Sequence, residues 1–574
     1  MRSRRRRTYV VRAAALLVGA LPVLAFPRVG LDWFAWVALV PGLLVIQAAP
    51  GARAGAVRGW WFGAGYLIAA LYWMVPNIGP GLLLVGVAFG ALWGGWGLAA
   101  WRLRHRPIAA LVVLPSIWLV GEYIRSWHAL GGPWALLGAS QWRHPVVLSL
   151  AALGGVWLVS FTIVAVNIAV VIAITRFRTA AGATPSMSLT WPLTASKSAT
   201  AAAPSAPSRW AAPRRWALPL AVPLVIGLAA PAAYGLRGEP PRQRPFTVAL
   251  VQPGVVHNPT ARFAAGERIT RGLPPVDLIV WGESSVGFDV DRRTDLSARL
   301  TALAGRGELL VNEDSRDARG RISKSSILYG PNGEQGRYVK TRLVPFGEYI
   351  PFRSALGWLT EISEAAGQNR VPGTGVRPLR AGDGVTFGAL VCFESAFPDL
   401  GRSVVRQGAG MVVYQSATST FQDSWAPAQH AALAAVRAAE TGRPVVQAAL
   451  TGVSVAYDAR GRRLAWLDTS RSGAVVATLW PVSQGSRTPF DRYGDLVPYF
   501  SVAVTVVAVA ALAAGAARGT GTGTTGSGAT KGPGGPARTG AASGAGDGSA
   551  RRSGRVSGRL RRPRAGANRF AGRL

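Results

Sequence analysis

Apolar runs of about 20 residues, the length that crosses a hydrocarbon core as a helix, recur at eight places in this chain. They fall at roughly 9–26, 30–48, 58–77, 81–100, 107–125, 146–175, 216–236 and 498–516. In lipid each run must satisfy its own backbone groups, and the helix does so within one segment. Between the seventh and eighth runs the composition changes. Every Asp and Glu except Asp32, Glu122 and Asp547 lies between residues 237 and 497. The expected fold class is therefore a polytopic α-helical membrane domain of about eight transmembrane helices plus one large domain outside the lipid. The expected boundaries are 1–236 for the first seven helices, 237–497 for the large domain, 498–516 for the eighth helix and 517–574 for a tail.

A net charge of +36 on 574 residues would suit a nucleic-acid partner. With 49% hydrophobic residues and 21 Trp it reads instead as a membrane protein with basic flanks, so no nucleic acid is expected. The positions of arginine set an orientation. With a cytoplasmic N-terminus the inner connections carry Arg53, Arg58, Arg102, Arg104, Arg106, Arg176, Arg178, Arg209, Arg214 and Arg215, against only Arg28, Arg125 and Arg143 outside. That assignment makes segment 237–497 extracytoplasmic. The opening MRSRRRR resembles the basic start of a secretory signal, but Ala25 is followed by Phe26 and Pro27 with no small-residue cleavage site, so a retained helix is expected. The Ala/Ser/Thr/Pro-rich stretch 179–212 reads as a flexible cytoplasmic loop. The tail, full of Gly, Ala, Ser, Thr and Arg, cannot bury a core and is expected to be disordered and to touch anionic headgroups.

Within 237–497, strand-like apolar runs appear at FTVALVQPG, VDLIVWGES, GELLVNEDS, SSILYGPNG, TFGALVCFES, GMVVYQSAT, PVVQAALTG and VSVAYDARG. A helix is predicted at APAQHAALAAVRAAETG, with Pro427 in its first turn and Gly442 just past its end. Strands this apolar imply a sheet covered on both faces. A layered α/β sandwich follows.

Cys392 is the only cysteine, so no intramolecular disulfide braces the fold. It stands where the run TFGALV breaks into FES. Glu283 stands at the end of VDLIVWG, and Lys340 in RYVKTRLVPFGEYIPF. A thiol, a carboxylate and an ammonium at the ends of buried strands are the groups of nucleophilic acyl transfer. The chain has five histidines, and only His257 and His430 lie in the large domain, neither in a motif suited to a thiol partner. The base is then a carboxylate, and Glu283 is the best candidate, with partial burial expected to raise its pKa. Lys340 is the expected oxyanion stabiliser, with the backbone N–H of Phe393 as a second donor.

Glu283, Lys340 and Cys392, in that order and in these contexts, resemble the nitrilase superfamily. The runs YVKTRLVPFGEYIPF and VCFES, in a domain framed by seven helices before and one after, resemble apolipoprotein N-acyltransferases, as does GGPWALLGASQW after the fifth helix. The resemblance implies an αββα sandwich in a multi-pass enzyme of the bacterial cell membrane. It implies Glu283 as general base, Lys340 as oxyanion stabiliser, Cys392 as nucleophile, and Glu348 and Glu394 as supporting acids. It further implies a phospholipid acyl donor, diacylglyceryl apolipoproteins as acceptors, a thioester intermediate, no metal or organic cofactor, and a monomer. This chain departs from the pattern at Gly282 (often Pro), at Phe393 (often Tyr), across Ser416–Phe421, which replaces an Asn-Asp-x-Trp-Phe-like run, and at 448–452, which lacks the usual Asn. These departures bear on the substrate mouth. The competing readings are a membrane-tethered nitrilase or amidase acting on a small molecule, and a catalytically weakened scaffold.

Three further features stay open in the sequence. Glu122 is an ionisable group at membrane depth, either functional or paired with Arg125. Arg342 either meets a headgroup or solvates its motif. The Trp-rich runs around Trp60 and from Trp93 to Trp101 read as interfacial anchors and packing.

Overall fold

Twelve strands among the described residues carry the large domain. In this computed structural model those residues are 2–181, 211–351, 353–357 and 370–520. Most of the expected loop 179–212 and of the tail 517–574 lies outside them. The strands are β1 Phe246–Gln252, β2 Leu278–Trp281, β3 Glu308–Arg316, β4 Ile322–Gly330, β5 Gly333–Val339 and β6 Pro378–Arg380. They continue with β7 Thr386–Val391, β8 Met411–Ser416, β9 Val445–Ala449, β10 Ser454–Tyr457, β11 Arg463–Leu467 and β12 Gly473–Leu479. All eight runs predicted as strands contain one. Of the four others, β5, β6 and β11 are short, polar or partly exposed, whereas β12, GAVVATL, is an apolar run that the sequence reading missed.

Two six-stranded sheets result, ordered β12-β1-β2-β3-β4-β5 and β11-β10-β9-β8-β7-β6. Their inner faces meet through alternate residues, Phe246, Val248 and Leu250 of β1 against Phe387 and Ala389 of β7 and Met411 and Val413 of β8. Period-two alternation sends the intervening residues outward. Ala249, Val251, Ile279 and Trp281 pack under the helices Pro259–Arg271 and Thr294–Leu303, with Phe263, Leu296 and Leu300. Leu390, Val412 and Tyr414 pack under the helices Pro398–Arg406 and Ala426–Thr441. The outcome is the expected helix–sheet–sheet–helix sandwich. Helix Ala426–Thr441 lies where it was predicted, and Gly442 adopts φ +66° as its left-handed terminator.

Five helical segments among the described residues are long and apolar enough to cross a membrane: Arg6–Ala25, Gly81–Arg102, Pro107–Arg125, Pro145–Arg178 and Leu496–Ala514. Asp32–Gln47 and Ala221–Leu236 are shorter apolar stretches. The helix Ala52–Ala70 spans 19 residues and seats Gly55, Gly59 and Gly63 directly on Gly97, Trp93 and Gly90, so the two backbones touch. The rings of Trp93 and Trp96 are buried against Trp118 at 5.3 Å each, which makes that Trp-rich run a packing feature.

The same core continues from these helices into the layer of the sandwich formed by Pro398–Arg406 and Ala426–Thr441. Helix Pro145–Ala181 breaks at Gly154 and Gly155, and Glu440 Oε1 of the sandwich accepts the freed Val156 N–H at 2.8 Å. A backbone donor that the kink would leave bare is thereby satisfied by a side chain from the other domain. Glu440 is in turn paired with the fully buried Arg437 at 3.1 Å.

Candidate active site

β7 ends at Val391, and the chain turns at once into a 3-10 turn, Cys392–Ala396, with Cys392 held at φ +48°. A non-glycine residue in that region carries roughly 1–3 kcal/mol of backbone strain, maintained only where surroundings enforce it. Glu394 is one enforcer. Its Oε2 accepts from Val391 N at 2.7 Å, while Oε1 accepts from Tyr338 Oη at 2.7 Å, Thr341 N at 2.9 Å, Thr341 Oγ1 at 2.9 Å and Arg342 N at 3.0 Å. This buried acid therefore ties the Cys392 turn to the segment that follows Lys340. It reaches Lys340 through the backbone of the next two residues and makes no direct bond to its ammonium.

Glu283 follows β2 by two residues. Its N–H bonds the Ser416 carbonyl at 3.2 Å and its Oε2 accepts from Ala417 N at 3.1 Å, so β8 of the other sheet aims the carboxylate. Gly282 supplies the room, since a Cβ there would lie 1.9 Å from the Leu450 nitrogen. Lys340 leaves the end of β5 with its N–H on the Lys324 carbonyl. Its Nζ sits 3.3 Å from Glu283 Oε1 and 3.0 Å from Glu348 Oε1, and Glu348 is fixed by Val344 N at 2.9 Å and Arg370 at 3.3 Å. The Cys392 thiol donates to the Ala417 carbonyl at 3.9 Å, the same residue whose N–H holds the Glu283 carboxylate, and Cys392 is partly exposed. The structure thus brings Glu283, Lys340, Cys392 and Glu348 to one point, with Glu394 directly behind it.

Burial is the largest influence on each of these groups. It pushes the Cys392 thiol up, and the neighbouring Glu283 carboxylate pushes it further, so the resting sulfur is protonated. Burial also opposes the charge on Lys340, but Glu348 and Glu283 outweigh it and hold the ammonium above its ordinary value. The expectation that burial raises Glu283 is corrected here. Burial does push that way, yet the ammoniums of Lys324 and Lys340 overcome it and hold the carboxyl below the ordinary range.

Lys324 is the residue that the sequence reading missed. It is 4% exposed, with Nζ 3.4 Å from Glu283, 2.9 Å from Asp314 and 2.5 Å from Ser284 Oγ. The one signal in the sequence was a lysine inside a strand of otherwise uncharged residues. His430 also lies nearer than its context suggested. Its Nε2 is 3.0 Å from the Cys392 carbonyl oxygen, which can only accept, so the ring donates there, and it is also 3.0 Å from Ser395 Oγ. It touches the Cys392 backbone and makes no hydrogen bond to the sulfur. His257 is exposed.

Aromatic packing beside Cys392 joins the two domains. Trp134 of the GGPW run stacks over Phe393 (6.4 Å between ring centres) and His430 (5.8 Å), and Trp73 bridges Trp134 to Phe421 at 5.2 and 4.9 Å. Arg28 donates to the carbonyls of Asp423 and Ser424, and Tyr72 Oη accepts from Trp425 N. Phe393 and Phe421 thus serve as packing surfaces. Glu122 holds the same loop from below, with Oε1 accepting from Leu137 N at 2.8 Å and Trp118 Nε1 at 3.0 Å. Among the described residues it makes no ion pair with Arg125. Arg342 is clamped by Asp399 through two bonds of 2.8 Å, which occupies the guanidinium.

A family model described as the apolipoprotein N-acyltransferase N-terminal domain matches residues 18–169, and one described as carbon-nitrogen hydrolase matches residues 247–484. The apolipoprotein N-acyltransferase of Geobacter metallireducens is 31% identical over 530 residues, covering 87% of this chain and 94% of the relative. That of Agrobacterium fabrum is 30% identical over 528 residues, covering 83% and 90%. That of Pseudomonas putida is 27% identical over 458 residues, covering 74% and 82%. With both halves of the chain matched in order, a membrane-helix region followed by a carbon-nitrogen hydrolase domain, this chain belongs to the apolipoprotein N-acyltransferase family.

Proposed function

We propose that this bacterial membrane acyltransferase N-acylates lipoproteins by a two-step transfer through Cys392. In the first step Cys392 Sγ attacks the ester carbonyl of a phospholipid acyl chain. Its proton passes to Glu283 as the S–C bond forms, and the carbonyl electron pair becomes an oxyanion beside Lys340 and the Phe393 N–H. Collapse expels a lysophospholipid, whose oxygen takes the proton back from Glu283, leaving a thioester. In the second step the α-amine of a diacylglyceryl-cysteine attacks that thioester, Glu283 takes a proton from the amine and returns it to the departing sulfur as the C–S bond breaks, and the thiol is regenerated as the amide forms. The thioester stores the activation, so the scheme calls on no metal or organic cofactor.

The observation that carries this reading is the convergence of one thiol, a carboxylate and a buried ammonium beside aromatic packing shared by the apolar helices and the sandwich. Both proposed substrates are anchored in lipid, so the sulfur has to open toward the membrane, and a small-molecule amidase has no such need. We assign the sandwich to the extracytoplasmic side, on the arginine asymmetry of the connections, and keep the proposed boundaries at 1–236, 237–497, 498–516 and 517–574. The test is thioester trapping. Purified protein incubated with labelled phospholipid should acquire hydroxylamine-sensitive label that is absent in Cys392→Ala and passes to a synthetic diacylated lipopeptide. Label that forms but never reaches the lipopeptide would point to another acceptor, and no label at all would point to a scaffold.

A further inference from the structure

Glu283 faces more positive charge than a proton acceptor needs. Both Lys340 and Lys324 approach the same oxygen, Oε1, at 3.3 and 3.4 Å. Lys340 has a second carboxylate, Glu348, and in the proposed reaction an oxyanion to meet. Lys324 has neither. It comes from β4, directly across the ladder from Asp314 of β3, and is locked by Asp314 and by Ser284 Oγ, whose own backbone is held at φ +55°. The remaining charged or titratable groups around Glu283 are Arg370, which reaches Glu348 and lies 3.9 Å from Asp314, the Cys392 thiol itself, and the more distant His430.

We propose that Lys324 is a positioning residue that makes Glu283 give its proton to the departing alcohol. The step it serves is the collapse of the tetrahedral adduct. The oxyanion pair re-forms C=O, the C–O bond to the glycerol oxygen breaks, and that oxygen takes the proton Glu283 accepted from sulfur. An alkyl alkoxide is a poor leaving group and needs that proton during bond cleavage, whereas a nitrophenolate does not. A cation fixed beside the carboxyl disfavours its protonated form and so favours delivery. The inference rests on the proposed roles of Cys392 and Glu283.

The experiment compares acylation of Cys392 by a phospholipid and by the 4-nitrophenyl ester of the same acyl chain, using full-length protein in detergent. In Lys324→Gln and Lys324→Met the phospholipid rate should fall at least ~10-fold, while the nitrophenyl rate stays within about threefold. Lys324→Arg, which keeps the charge, should recover most of the phospholipid rate. The acid limb of the rate profile in the neutral variants should move up by roughly 1–3 pH units, as loss of an opposite charge at this distance predicts. Equal losses on both esters, or an unmoved acid limb, would overturn the role of Lys324. Glu283→Gln acts as the control for the underlying reading. If it acylates from phospholipid as fast as the wild type, the assignment of the base fails, independently of what Lys324 does.

Discussion

At the scale of single residues, the site is a balanced cluster in which three acids, Glu283, Glu348 and Asp314, face three bases, Lys340, Lys324 and Arg370. The thiol enters as a neutral guest, so attack moves one negative charge from Glu283 to the oxyanion without adding any. Glu283→Gln should therefore lower lipopeptide acylation by at least ~100-fold, the usual worth of a positioned base. The lowered pKa of Glu283 sets the sign of the pH response. Its folded carboxyl binds a proton less readily than the unfolded value of 4.5, so its stabilising effect is complete above that value and is lost as pH falls through the lower folded one. Acylation measured from about pH 7 to about pH 5 should accordingly show no limb from this group. A midpoint near neutrality that disappears in Glu283→Gln would contradict it. Removing Glu394 strands the N–H groups of Val391, Thr341 and Arg342, and Glu394→Ala should cost at least ~3 kcal/mol in a thermal or denaturant melt.

At the scale of elements, the decisive features are where β2, β5 and β7 stop. Each strand ends with one of the proposed site residues at or within two positions of its last paired residue, and the three ends meet because the two sheets face each other there. Gly282 is the tightest of these joints. Gly282→Ala would drive its Cβ into the Leu450 backbone and shift Glu283, and displacement of about 1 Å can cost on the order of 100-fold in rate. A stopped assay on the variant, beside a melting curve near that of the wild type, would separate misaligned catalysis from unfolding. The strand-terminal motifs were legible in the sequence because an apolar run that breaks into acid, lysine or cysteine is conspicuous. Lys324 was not, because its meaning depends on Asp314 lying across the β3–β4 ladder, a pairing that no local pattern records.

At the scale of the whole molecule, the helices do more than anchor. The GGPW loop brings Trp134 over the Cys392 turn, and Gly132, at φ +77°, lets the loop pass so close that a Cβ would lie 2.7 Å from Phe397 and 2.9 Å from Phe393. Trp134→Ala should lower acyl transfer about 10-fold or more through loss of that support, with a smaller effect on alkylation of Cys392 by a soluble reagent, which needs no aligned lipid. Loss of both rates to the same degree would show instead that the ring merely stabilises the fold. By contrast, deleting the residues after Gly519 should leave acylation within about twofold of the full chain, since a segment of that composition cannot build a core. An inactive truncation would assign the tail a catalytic or assembly role.

The sequence alone pointed to a region of apolar helices, to the layered sandwich and eight of its strands, and to Glu283, Lys340 and Cys392 as candidates that the fold brings together, because apolar periodicity and run length are written locally along the chain. Only the tertiary structure decided the electrostatics. Whether burial raises Glu283 or neighbouring ammoniums lower it depends on separations of 3–4 Å between residues tens of positions apart. It also decided that Glu394 works through the backbone and that Glu440 caps a broken helix of the other domain. Such contacts arise when elements pack, and their energies change sharply over one or two ångströms that sequence spacing does not specify.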